Sequence, residues 1–194
     1  MKRILSLLVA MSIALFFAGC LSVEEKEYSW TINDNGRGTA KIIHKNIYSS
    51  GNIEEDLSAE DFVSLIDDYL EGGMIDDDYP GAKNMKKRLY IEDEKLCGEV
   101  TFEFDELSDI GFYRHKGEGP FMFIVETDEE IFIESDGDWA GESFPVVFWP
   151  DKTEEFNLTT SVGSPEEDGT KFLLDYYNTW METGEMPDID SADE

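Results

Sequence analysis

Residues 97–106 read CGEVTFEFDE, and from Glu99 to Asp105 polar and apolar side chains alternate strictly. Val100, Phe102 and Phe104 fall on one face; Glu99, Thr101, Glu103 and Asp105 fall on the other. A two-residue period is that of a β-strand, and one dry face with one wet face is the mark of an antiparallel sheet. Working outward, residues 85–91 form a second strand, joined to the first by the turn EDEK. Upstream, Tyr28, Trp30 and Ile32 share a strand face, NDNGRG supplies hairpin chemistry, and a strand follows from 39 to 48. In that strand Ile43 and Ile47 share one face, while Ala40, Ile42 and Tyr48 lie on the other.

A helix is expected after the loop SSGNIEEDLSAED. Ser58 with Asp61 makes a capping-box pattern, and Phe62, Leu65, Ile66, Tyr69 and Leu70 follow at helical spacing until Gly72-Gly73. DDDYPG then reads as a turn. Downstream, residues 121–126 and 130–134 flank TDEE as a hairpin. FPVVFW and EEFNLTTSV are two further strands, joined by Pro150-Asp151-Lys152. A last helix starts near Pro165 or Glu166. It carries Phe172, Leu173, Tyr176, Tyr177, Trp180 and Met181, and it ends at Gly184. The fold class is α+β: a meander-like antiparallel sheet of about seven or eight strands with two amphipathic helices packed on it.

The N-terminus carries a different signal. Met1-Lys2-Arg3 precedes an apolar run from Ile4 to Phe17 that ends in Ala18-Gly19-Cys20. A cationic start, a short apolar stretch and small residues are the parts of a secretory leader. The run is too short for a bilayer-spanning helix, which needs about twenty apolar residues. With the box Phe17-Ala18-Gly19-Cys20 the segment resembles the signal peptide of a bacterial lipoprotein. That resemblance implies cleavage before Cys20 and attachment of acyl chains such as palmitate to its sulfur and amino group. Each acyl methylene adds about 0.8 kcal/mol of membrane affinity, and two chains anchor stably. The expected organisation is a leader at 1–19, a lipidated tether at 20–27, one domain at 28–184 and an acidic disordered tail at 185–194. The expected location is the cell envelope, facing periplasm or exterior, with the membrane as a partner through the lipid.

Forty-five Asp and Glu stand against fifteen Lys and Arg, a formal net charge of −30. That balance argues against nucleic acid, whose phosphates need a cationic surface. It argues equally against peripheral binding to anionic lipid. Cys97 has no partner within the processed chain, so no intramolecular disulfide is expected, and it reads as a small buried strand residue. No nucleophile elbow, phosphate loop, HExxH or CxxC occurs, and no cofactor is implied. His44 and His115 have no ligand-spaced neighbours and read as structural or solvated.

Asp76, Asp77 and Asp78, and Asp136 with Asp138, are candidate calcium ligands on turns. Counted from Asp136 as an EF-hand loop, Asp138 and Gly141 fit, but Ala140 and Val147 do not. Solvated acidic surface is therefore the plainer reading. Lys83, Lys86, Lys87 and Arg88, and Arg114, His115 and Lys116, are expected to pair with carboxylates. Trp139, outside any clear strand, is the candidate aromatic of a contact surface. The functional expectation is a non-catalytic lipoprotein serving as a binding or envelope-assembly module, its partner an envelope protein or ligand. The alternatives are an envelope hydrolase using carboxylates and a calcium-binding protein.

Uncompensated negative charge repels itself, and salt screens it over about 8–10 Å. Sodium chloride is expected to raise the melting temperature gradually, and calcium to do so more strongly but without saturation. Saturating stabilisation at micromolar calcium would instead identify a specific site, following the logarithmic law of native-state ligand binding.

Overall fold

Tyr28, Trp30 and Ile32 at every second position, facing Ala40 and Ile42 across the ladder, build the core of the first hairpin. The computed structural model describes residues 21–33, 35–51, 56–127 and 129–189. Strand β1 (Leu21–Ile32) turns through residues 33–37 into β2 (Gly38–Ser50). Asn33 accepts the amide of Gly36, as the Asn/Gly composition demands. Helix α1 (Ser58–Ser64) runs on as a π-turn (Leu65–Leu70), and a short α2 (Met74–Asp78) follows. β3 (Lys83–Glu92) and β4 (Lys95–Phe104) are joined by Asp93 and Glu94, both at positive φ. Then come β5 (Phe112–Tyr113), β6 (Phe121–Ile124), β7 (Ile131–Ser135) and β8 (Asp138–Trp139). The chain closes with β9 (Val146–Trp149), β10 (Glu155–Ser161), β11 (Thr170–Phe172) and α3 (Leu174–Thr183).

The fold is α+β, but its strands form two antiparallel sheets. The larger has the order β3-β4-β2-β1-β10-β7, with β11 added to the end of β2. The smaller has the order β5-β6-β9-β8. One face of the large sheet carries Tyr28, Trp30, Ala40, Ile42, Val100, Phe102, Phe156 and Leu158, all buried. The small sheet lies against part of this face through its rings. Phe112 meets Trp30 edge-on at 5.0 Å and Phe156 at 5.1 Å, and Trp149 meets Phe156 at 5.5 Å. The helical segment covers another part: Tyr69 stands edge-on to His44, with ring centroids 5.4 Å apart, and donates to or accepts from its Nδ1 at 3.0 Å.

Several sequence expectations are corrected here. Residues 21–27 are no tether. They form the first half of β1, because the thirteen-residue β2 offers them a pairing edge from Leu21↔Ser49 onward, and Glu27 pairs with Lys45. The stretches 121–126 and 130–134 do not make a hairpin: β6 pairs with β5 and β9, whereas β7 pairs with β10. β9 and β10 likewise belong to different sheets. The meander thus gives way to a two-sheet stack, because the aromatic side chains of successive strands face each other across the layers rather than along one sheet.

Helix α1 lacks the expected capping box. Asp56, ahead of the N-cap Leu57, instead holds Ser58, its Oδ1 accepting the Ser58 amide at 3.1 Å and the Ser58 hydroxyl at 2.6 Å. Asp61 is buried and accepts from Ser49 Oγ at 2.5 Å, tying the helix to β2. The last helix begins at Leu174, not near 165, since Lys171 and Phe172 are drawn into pairing with Ser49 and Tyr48. Its end at Gly184 is as expected, with φ of 73° and the Gly184 amide donating to Trp180. Of the tail, residues 185–189 are described; 190–194 and the leader with Cys20 lie outside the described residues.

Gly98 stands opposite His44 in the ladder, and a Cβ there would overlap the Tyr69 hydroxyl. Replacing Gly98 with Ala is expected to cost about 1–3 kcal/mol by overpacking. A urea midpoint that falls at constant slope verifies this. An unchanged midpoint would show that the helix does not sit tightly on β4.

Candidate functional site

Strand alternation puts Lys26, Tyr28 and Trp30 of β1 on one face, at the point where the small sheet leaves the large one. The result is a cleft of about 600 Å³ between the sheets. Its apolar lining is four aromatic rings with Ile110, Ile124 and Val125. Tyr28 and Trp30 are stacked, with centroids 5.2 Å apart and planes 14° apart; Phe123 of β6 lies 5.1 Å from Trp30, and Tyr79, just after α2, closes another side. Around these rings stand Asp78, Asp109, Glu126, Glu129 and Glu130, against a single cation, Lys26.

That cation is already engaged. Glu130 Oε1 accepts from Lys26 Nζ and from the Tyr28 hydroxyl, each at 2.7 Å, and Oε2 accepts from Thr160 Oγ1 at 2.6 Å. Burial pushes the Glu130 pKa up, but the Lys26 charge and the three donors outweigh it and hold the carboxylate below its ordinary value. The Tyr28 and Tyr79 hydroxyls are pushed well above the usual phenol range, first by burial and then by these carboxylates: Glu130 for Tyr28, Asp78 and Glu130 for Tyr79. Four carboxylates beyond the Lys26–Glu130 pair leave the cleft with a net negative charge. Trp30 is 2% exposed, and its indole N–H has no partner among the described residues. Aromatic faces under carboxylates attract an organic cation. Leaving that buried donor without a partner costs roughly 1–3 kcal/mol.

The sequence-derived candidates are dispersed. Asp76, Asp77 and Asp78 lie on α2 rather than on a turn: five residues after Gly73 close one helical turn. Asp76 is paired with Lys87 at 2.8 Å, Asp78 lines the cleft, and the side chain of Asp77 is outside the described set. Asp136 is a structural hub. It accepts Trp149 Nε1 at 2.6 Å from the small sheet, and the Asn157 amide at 2.9 Å and Asn157 Nδ2 at 2.8 Å from the large one. Its two oxygens are thus committed to holding the sheets together. Asp138 sits exposed on β8. Among the described residues, no group of three or more His, Cys, Asp or Glu is placed to hold a metal ion.

Trp139 is not a free-standing contact aromatic. It belongs to β8 and lies flat on Phe132, with centroids 4.4 Å apart and planes 1° apart, because stacking removes both rings from water more completely than a loop position would. Cys97 is buried, and burial raises its thiol pKa. His44 is buried, and desolvation, with Lys26 nearby, lowers its pKa to about 3, so it is neutral and structural. Lys83 pairs with Asp105 and Arg88 with Glu99, as expected. Arg114 instead lies over the Phe121 ring at 4.2 Å and donates to the Gly119 carbonyl.

The cleft was hidden from sequence reading because its residues come from five separate stretches; the sole local trace is the Lys26-Tyr28-Trp30 alternation. No helix among the described residues is long and apolar enough to cross a membrane. No family model, curated protein or solved structure matches the chain.

Because Glu130 is ionised in the fold below its ordinary pKa of 4.5, its contribution is present above that pH and is lost as the pH falls through the folded value. Glu130→Gln is expected to lower stability by about 1–3 kcal/mol at pH 7. The gap to the wild type should close on acidification below 4.5. A gap that stayed constant down to pH 3 would show that the carboxylate charge is not what holds Lys26, Tyr28 and Thr160.

Proposed function

We propose that this is a lipid-anchored protein of a bacterial cell envelope. Its domain is a non-catalytic binding module that takes an organic cation, a protonated amine or guanidinium, in the cleft between the sheets. The observation that carries the binding half is a stacked aromatic pair beside Asp78, Asp109, Glu126 and Glu129, four carboxylates beyond the Glu130 that neutralises Lys26. Cation–π attraction and charge act together there, and a lysine side chain is the simplest such cation. The leader and Ala18-Gly19-Cys20 support the anchoring half.

Two readouts test it. N-acetyl-lysine methylamide, titrated by tryptophan fluorescence, is expected to bind, and its norleucine counterpart is not. Glu126→Gln/Glu129→Gln should weaken lysine binding by about ten-fold, the equivalent of 1.4 kcal/mol. Equal binding of norleucine, or equal affinity in the double variant, overturns the cation reading. For the anchor, Cys20→Ser should abolish incorporation of labelled fatty acid; retained label overturns it.

A further inference from the structure

The large sheet has two terminal strands, and the chain treats them in opposite ways. The β3 edge carries Lys83, Lys86, Lys87 and Arg88, with a register shift between Lys83 and Lys86. Charges and irregular register are the usual guards against unwanted strand pairing. The β7 edge reads Ile131-Phe132-Ile133-Glu134-Ser135 and has no lysine or arginine. Ile131 is 70% exposed and Ile133 44%. Thr160 pairs with Phe132 and Thr159 with Glu134, which leaves Ile133 as the extra residue of a bulge. Such a bulge re-aims its side chain, and here it turns an isoleucine to solvent.

A terminal strand directs alternate N–H and C=O groups outward, a ready template for another chain. The charges flanking this one are of a single sign: Glu129 before it, Glu134 within it and Asp138 after it, all exposed. Two copies meeting edge to edge would bring these carboxylates together in a molecule of formal charge −30. The complementary occupant is cationic.

We propose that β7 accepts an added strand from a partner protein: an extended segment in which lysine or arginine alternates with aliphatic residues. The backbone supplies the affinity, as in other strand additions, while Ile131 and Ile133 pack against the aliphatic positions and the carboxylates receive the cations. Glu129 also lines the cleft, but the variants that test the proposal leave every cleft residue in place, so the two readings are separable.

The probe is a fluorescent octapeptide of alternating lysine and valine, added to the full chain in detergent micelles at about 0.15 M salt, where long-range charge effects are screened. A control peptide keeps every lysine but has proline at the two central valines. The wild type is expected to bind the first at least about ten-fold more tightly than the second. Ile131→Lys/Ile133→Lys and the uncharged Ile131→Ser/Ile133→Ser should each weaken binding by a similar factor while keeping the wild-type melting temperature. Equal binding of the proline peptide, or wild-type affinity in the serine variant, overturns strand addition and leaves charge alone. Sedimentation showing wild-type self-association that the serine variant abolishes would overturn the cationic occupant in favour of a second copy.

Discussion

Two tryptophans and four phenylalanines hold this molecule together. Trp30 and Phe156 project from the large sheet; Phe112, Phe121, Phe123 and Trp149 project from the small one; and their centroids lie 5.0–5.6 Å apart in tilted and edge-on pairs. Each ring buried is worth about 1.5–3 kcal/mol, and each aromatic pair adds somewhat to that. The small sheet has four short strands, two of them only two residues long. Such a sheet is not stable by itself. It exists because the large sheet offers a ring-lined face to cover. Asp136 then fixes the angle between the layers, binding Trp149 on one side and Asn157 on the other. The cleft is the place where this clasp stops: Tyr28 and Phe123 continue the aromatic layer to its open end.

Much of the secondary structure was legible because it rests on local periodicity. The alternation in 97–106 placed Val100, Phe102 and Phe104 inward, and all three are buried. The Asn/Gly-rich turn at 33–37 and the glycine stop at Gly184 follow from backbone preferences that only a few residues satisfy. Partner choice was not legible in the same way. Phe121, Trp149 and Phe156 each sit in a strand-forming run, and no local feature says that the first two share a sheet while the third faces them from another. Proximity along the chain suggested hairpins that the packing of rings overrode.

The site was less legible still, for a related reason. Glu130 stood at the margin of a strand, one acid among forty-five. Its distinction is three donors from β1 and β10, none nearer than thirty residues in sequence. Asp136 could be noticed as an acid on a turn but not as a fastening between layers. Abundance concealed both: in so acidic a chain, composition could not separate a working carboxylate from a solvated one.

Strand β1 begins at Leu21 and is paired from its first residue. An acyl group on the adjacent Cys20 would therefore be joined to the sheet with almost no slack. Twelve residues at about 3.3 Å each carry β1 some 40 Å away from that point. The domain would behave as a short mast stepped directly into the bilayer rather than as a float on a line. Anionic headgroups would repel its acidic flanks on every side, so its mean posture would be upright. The height of the cleft above the surface would then be set by the short stretch of β1 between Cys20 and Lys26, Tyr28 and Trp30, and by nothing looser.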